Sequence, residues 1–290
     1  MKKIFYLLLI ILLCASCSKE EFSYDYDSVN ELKEIEENKF DFDLHSQSYL
    51  LADMSELEVL YRYNTSSRIY PASLTKLFTL DTVLHYADDL GDTSYLTSDQ
   101  LRMLIEEDSS LAGIYADRSY SLEELLYALI LPSGGDAALA LENYFADRGM
   151  DLVDLMNQRC SEMGCSNSSF TNTTGLHDDE LYSCVDDIFT CYLDILSFEK
   201  GRQIMETMNY TLNDGVKVSS TIAYVQGTKA KILGGKTGYT PESGQSISIL
   251  YKEDAHSYLL ILTNAMGGSA SQHLYYHYED ALTIFENLYN

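Results

Sequence analysis

Apolar residues recur at two different periods along this chain, and the change from one to the other divides it. Tyr49-Leu-Leu-Ala-Asp-Met and Glu58-Val-Leu-Tyr-Arg-Tyr, around Ser55-Glu-Leu, predict two short strands joined by a turn. From Ser73 to about Tyr86 the period lengthens. Leu74, Leu77, Phe78 and Leu84 fall at the three- and four-residue steps of one helical face. The same spacing predicts helices over Ser121–Ile130, Asp136–Phe145, Leu152–Met163 and Val185–Leu196. After Val216 the pattern returns to short β-rich runs, Thr221–Val225, Ser246–Tyr251 and Tyr258–Thr263, and His273–Leu288 is helical again. Strands at both ends with helices between them predict an α+β fold: one antiparallel sheet built from both termini, packed against helices and carrying a mostly helical subdomain. No internal repeat interrupts this order.

The first residues break the pattern. Lys2 and Lys3 precede an apolar run, Ile4 to Leu13, that is too short to span a bilayer stably and reads as an export signal. Its end, Cys14-Ala-Ser-Cys17, resembles the lipobox of bacterial lipoproteins, with Cys14 where leucine is usual. That resemblance implies cleavage after residue 16 and a lipid on Cys17; an ordinary cleaved signal is the alternative. The next stretch is acidic and poor in core candidates. The expected organisation is therefore a signal over 1–16, an acidic tether over 17–43 and a catalytic domain over 44–290.

Composition adds exclusions. With 46% apolar and 12% aromatic residues the chain can build a substantial core. Its 45 acidic against 19 basic residues give a net charge of −26, which excludes a phosphate-backbone partner such as nucleic acid. Past the lipobox, Cys160, Cys165, Cys184 and Cys191 show no paired zinc spacing, so they are expected as buried thiols or as one structural disulfide.

Chemistry is suggested at Tyr70-Pro-Ala-Ser-Leu-Thr-Lys76, where Ser73 and Lys76 would share a helix face. The spacing alone proves little, since Ser16 with Lys19 and Ser197 with Lys200 repeat it. A serine needs a base, and a lysine can serve only if burial or a neighbouring cation lowers its pKa from ~10.4. Two further segments supply what is missing: Leu131-Pro-Ser-Gly-Gly-Asp136 between two helices, and Gly234-Gly-Lys-Thr-Gly-Tyr239 in the strand region.

Together, Ser73-x-x-Lys76, Ser133-Gly-Gly135 and Lys236-Thr-Gly238 resemble the three motifs of penicillin-binding proteins and serine β-lactamases. With Phe170-Thr-Asn-Thr-Thr-Gly-Leu-His-Asp and Gly235-Lys-Thr-Gly-Tyr-Thr-Pro-Glu, the similarity narrows to the low-molecular-mass D-alanyl-D-alanine carboxypeptidases. The resemblance implies that Ser73 is the nucleophile, Lys76 its base and Ser133 a proton relay. Lys236 and Thr237 would bind the substrate carboxylate, with Lys236 also helping to keep Lys76 neutral. The N–H groups of Ser73 and Tyr239 would form an oxyanion hole, and Gly238 would let the substrate backbone lie against the strand. It further implies a peptidoglycan stem peptide ending in D-alanyl-D-alanine as substrate, β-lactams as covalent inhibitors, and no cofactor or metal. The protein would be extracytoplasmic, held to the membrane through the lipid on Cys17.

One departure matters. The second motif usually ends in asparagine, whose amide holds the substrate carbonyl and touches the lysine, and this chain has Gly135 there. A weak penicillin-binding sensor or scaffold is therefore a rival reading. A β-lactamase is another, although no Glu-x-x-Leu-Asn segment lies between Ser133 and Lys236. Gly235-Lys-Thr lacks the upstream glycine of a phosphate loop, because residue 230 is Ala230. His273 and His277, four apart, lack the partners of a metal site and are expected to face solvent; His177 with Asp178 and Asp179 is expected to be a loop feature.

Overall fold

A computed structural model describes residue 33 and residues 35–225, 230–267 and 275–288. The signal, Cys14, Cys17 and His273 lie outside the described residues. In chain order the elements are β1 (Ser48–Asp53), β2 (Glu58–Tyr63), α1 (Thr75–Tyr86), β3 (Thr93–Tyr95), α2 (Ser98–Glu106), β4 (Ser119–Ser121), α3 (Leu122–Ile130), α4 (Gly135–Ala146), α5 (Leu152–Met163), α6 (Val185–Ser197), α7 (Glu199–Met205), β5 (Asn209–Thr211), β6 (Lys217–Ser219), β7 (Lys231–Thr240), β8 (Gly244–Glu253), β9 (His256–Ala265) and α8 (Tyr276–Leu288).

Five strands form the main sheet in the order β2-β1-β9-β8-β7, and every neighbouring pair is antiparallel. The sheet is covered on both faces, which is why β8 and β9 read as nearly continuous apolar runs. The strand alternation sorts their side chains. Leu50, Ala52, Leu250, Leu259 and Ile261 join the core shared with the helices, whereas Leu51, Ile247, Ile249, Leu260 and Leu262 face the other way, toward Ile284 and Phe285 of α8. The α+β sheet-and-helix architecture expected from the periodicities is the one observed.

Helix α1 runs through the middle of the helical side, and every residue from Thr75 to Val83 is buried. A helix buried all round must satisfy its polar groups internally. Asp81 is the exception: it lies 3.2 Å from Arg159 of α5 with neither carboxylate oxygen hydrogen-bonded, and burial raises its pKa to about 8. Arg159 also reaches Asp194 of α6 at 2.6 Å. This cluster lies where α1, the helix that carries Lys76, packs against α5 and α6.

Three expectations need correction. Thr221–Val225 is a 3₁₀ turn over Thr221–Tyr224, because the Ser220 hydroxyl accepts the Ile222 N–H and caps it. The tether ends earlier than residue 43. Lys33 and Asn38 make bridges to β2 at Glu58 and Arg62, and Phe40 is only 4% exposed, stacked on Tyr61 at 4.1 Å. His277 points inward rather than to solvent and bonds Gln245 at 2.8 Å; burial lowers its pKa to about 4. Two helices absent from the periodicity reading, α2 and α7, are short, and α2 begins with a Thr97/Gln100 capping box. Cys160, Cys165, Cys184 and Cys191 are buried free thiols.

Candidate active site

The nucleophile candidate does not sit in α1 itself. Ser73 occupies a 3₁₀ turn, Ala72–Leu74, that feeds the helix, and Ala72 just before it has φ of 47°. Such a left-handed alanine costs on the order of 1–2 kcal/mol. It holds Ser73 half-buried at the head of α1, facing the edge strand β7.

Lys76, one turn on, is 1% exposed and its amine donates to Ser73 Oγ at 3.1 Å and to the Thr174 carbonyl. Burial depresses its pKa from 10.5 to about 7, against an opposing pull from the Asp136 carboxylate. That shift makes the amine a usable base at neutral pH. The sequence reading gave part of this effect to a second cation, whereas burial dominates here.

Ser133 lies in the loop between α3 and α4 with φ of 67°, and its hydroxyl accepts from the Lys236 amine at 2.8 Å. Lys236, on β7 and fully buried, also donates to the Thr237 carbonyl at 2.7 Å. Its pKa is pushed well below the ordinary lysine value, first by burial and then by the charge of Lys76. The repulsion is mutual, so two buried amines cannot both be fully charged without an anion between them. Thr237 Oγ1 is held at 2.7 Å by Thr221 Oγ1, and Tyr239 is 49% exposed at the rim.

Gly238 serves a packing need that the sequence reading assigned differently. A Cβ there would lie 3.2 Å from the Ser73 nitrogen and 3.0 Å from the Pro71 carbonyl, so the glycine lets β7 close on the nucleophile turn. Gly175 does the same from the opposite side: at φ of 78° its Cβ would be 2.0 Å from the Ala72 carbonyl. The loop Asn172–Gly175 is organised by the Asn172 side-chain oxygen, which accepts the N–H groups of Thr174 and Gly175. This presents the Thr174 carbonyl to Lys76. Thr173 donates to Glu142 at 2.5 Å.

The structure thus brings Ser73, Lys76, Ser133, Lys236, Thr237, Gly238 and Tyr239 to one place between α1, α4 and β7. Gly135 opens α4 beside them. The sequence reading missed Thr174, Thr221, Gly175 and Asp136. Only the Asn172-Thr-Thr-Gly motif and the Asp following Gly135 hinted at them. A groove of about 980 Å³ adjoins this place, lined in part by Leu104, Glu142, Thr174, Leu176, Tyr239 and Glu242. Among the described residues no group of three or more His, Cys, Asp or Glu side chains could hold a metal ion.

A sequence model of the D-alanyl-D-alanine carboxypeptidases matches residues 33–266. The chain belongs to the D-alanyl-D-alanine carboxypeptidase family. Among relatives of this family, the Bacillus subtilis D-alanyl-D-alanine carboxypeptidase DacF is 28% identical over 209 residues, 68% of this chain and 52% of the relative. The Haemophilus influenzae DacA is 26% identical over 213 residues, 70% of this chain and 52% of the relative. The chain therefore spans about half the length of the curated carboxypeptidases it matches. The fold is that of the Streptomyces K15 DD-transpeptidase, with a TM-score of 0.73 at 19% identity, covering 86% of this chain and 98% of that one. It is equally that of Listeria monocytogenes penicillin-binding protein D2 in a cefotaxime-bound form, with a TM-score of 0.70 at 24% identity, 86% and 98% covered.

Proposed function

We propose that this protein is a serine D,D-carboxypeptidase that removes the terminal D-alanine from peptidoglycan stem peptides outside the cytoplasm, and that β-lactams acylate the same serine. The observation that carries the reading is the buried Lys76 amine, lowered to about pKa 7, 3.1 Å from Ser73 Oγ.

The proton and bond movements follow from that pair. Neutral Lys76 takes the Ser73 proton as Oγ attacks the carbonyl of the penultimate D-alanine. The tetrahedral oxyanion is held by the Ser73 and Tyr239 N–H groups, whose facing backbones the glycine at 238 brings together. Collapse breaks the peptide C–N bond, and the proton that Lys76 accepted passes through the Ser133 hydroxyl, which already bonds Lys236, to the leaving nitrogen, so that Lys76 is neutral again. Water then attacks the ester, giving its proton back to the Lys76 and Ser73 pair, and the shortened peptide leaves. Lys236 and Thr237 receive the substrate carboxylate. That anion lies between the two amines' repulsion and restores the charge on Lys236, which offsets the long-range field of a chain carrying −26.

Anchoring through a lipid on Cys17, after a signal over 1–16, belongs to the same proposal and rests on the lipobox resemblance. Release of free D-alanine from a synthetic peptide ending in D-alanyl-D-alanine, compared with the Ser73→Ala variant, tests the activity. Release that disappears with Ser73 is expected. Gly135 favours one second reading, a penicillin-binding sensor; no release from a protein whose Ser73 still takes a fluorescent penicillin would establish that one instead.

A further inference from the structure

We propose that Ser109 is a substrate-binding residue, its hydroxyl supplying the polar contact that the side chain at position 135 does not. The inference rests on the serine-peptidase reading above and refines how this particular site holds the substrate's peptide carbonyl that lies outside the oxyanion hole.

Gly135 removes an amide from the first turn of α4, next to Ser133, and leaves a question of what fills its place. A Cβ built on Gly135 would meet Ser109 Oγ at 2.5 Å, with the Ser110 carbonyl at 3.3 Å and Leu104 Cδ2 at 3.4 Å. The hydroxyl therefore stands inside the volume that an asparagine side chain would occupy. It is the one polar side-chain atom among those three neighbours.

The segment that carries it is not a loose loop. The Gly135 N–H donates to the Ser110 carbonyl at 2.7 Å, and the Ser109 N–H to the Leu104 carbonyl at 2.9 Å. Just beyond, the Asp136 carboxylate accepts the N–H groups of Ala112, Gly113 and Ile114 at 2.8, 2.8 and 3.2 Å. Asp136 is fully buried, and the residue that follows Gly135 thus fastens the Ser109 segment to the start of α4. Registration between the two is set by one backbone–backbone hydrogen bond and three from backbone N–H groups to the Asp136 carboxylate. Among the described residues the Ser109 hydroxyl has no hydrogen-bond partner, and it is partly exposed, so its donor and acceptor capacity is open to a ligand.

A hydroxyl can donate to a carbonyl as an amide N–H does, with one hydrogen bond where the amide had both a donor and an acceptor. The ligand class is the peptide carbonyl next to the scissile bond of a D-amino-acid peptide, or the corresponding side-chain amide of a penicillin. The glycine and the serine act as a pair: a side chain at 135 needs Ser109 to turn away, and a serine at 109 is useful only where position 135 is empty.

The test is a set of variants on the full mature chain, read by the second-order rate of Ser73 labelling with a fluorescent penicillin, by D-alanine release and by thermal unfolding. Ser109→Ala is expected to lower labelling and release about tenfold or more with the unfolding midpoint unmoved. Ser109→Thr, which keeps the hydroxyl, is expected to retain most of both. In the double variant Ser109→Ala, Gly135→Asn, where the truncated residue leaves room for the amide, the rate is expected to recover. Labelling of Ser109→Ala within twofold of the parent overturns the proposal. So does a loss that neither Ser109→Thr nor the double variant recovers, since that loss is structural. The functional reading is judged separately on the parent alone: a parent that labels without releasing D-alanine removes the carboxypeptidase and leaves the Ser109 comparison intact on labelling.

Discussion

At the scale of the residue, the site depends on an unfavourable burial. A lysine amine in water stays protonated to pH ~10.4, and at 1% exposure the charged form of Lys76 loses its hydration, while a serine hydroxyl, one carbonyl and the pull of the Asp136 carboxylate return less than that loss. The result is a pKa of about 7. The consequence for rate has a definite sign. Only the neutral amine accepts the Ser73 proton, so acylation rises with pH through about 7 and falls about tenfold per pH unit below 6. Measuring penicillin labelling of Ser73 from pH 5 to 8.5 checks this, and a profile flat across that range contradicts it. Replacing the base outright, Lys76→Ala, is expected to lower acylation by about 10²- to 10⁴-fold, the usual worth of a positioned general base.

At the scale of the element, the site is a meeting of three backbones, and glycines decide how closely they meet. The loop through Asn172 and Gly175 lies on the nucleophile turn so tightly that an added methyl at 175 would overlap the Ala72 carbonyl at 2.0 Å. Gly175→Ala also forces a left-handed alanine, on the order of 1–2 kcal/mol before any clash. The expected outcome in urea unfolding is a loss of at least about 2 kcal/mol together with slower Ser73 labelling, because the Thr174 carbonyl moves off Lys76. An unchanged midpoint would mean that the loop is free to lift. This close approach also marks the boundary of what the sequence could show. Motifs at Ser73, Ser133 and Lys236 were legible because their chemistry is carried by side chains of recognisable type and order. The Thr174 carbonyl was not, since any residue supplies a carbonyl and only the fold decides which one faces an amine. Long amphipathic helices such as α5 and α6 were legible from their period, as were the strands β1, β2, β8 and β9. The Thr221–Tyr224 turn was misread because a β-branched, apolar run resembles a strand until the Ser220 cap is seen to bend it. His277 was misread because its partner, Gln245, is on a strand that no local pattern connects to α8.

At the scale of the whole molecule, the site and the start of the domain lie at opposite edges of one sheet. The candidate site lies against β7, whereas Lys33, Asn38 and Phe40 close the far edge at β2. That edge would otherwise expose unpaired strand groups. The Asn38 and Arg62 backbones exchange hydrogen bonds of 2.9 and 3.0 Å, and the Phe40 ring stacks on Tyr61 and contacts Tyr49 at 5.1 Å. Losing a buried phenylalanine costs about 3–5 kcal/mol. A protein shortened to begin at Leu44 should therefore unfold roughly 6 to 20 °C below one that begins at Lys33, given about 2–4 °C per kcal/mol for a domain of this size. The two should differ little in function. Four strands, β2, β1, β9 and β8, separate the lost segment from β7, and α1 packs independently against α5 and α6 around Asp81, Arg159 and Asp194. Ser73 labelling at 20 °C is expected to agree within about twofold between the two lengths. Equal unfolding temperatures would show that the segment rests on β2 without stabilising it. A shortened protein that keeps its midpoint but loses labelling would show instead that the edge and the site are coupled through the sheet.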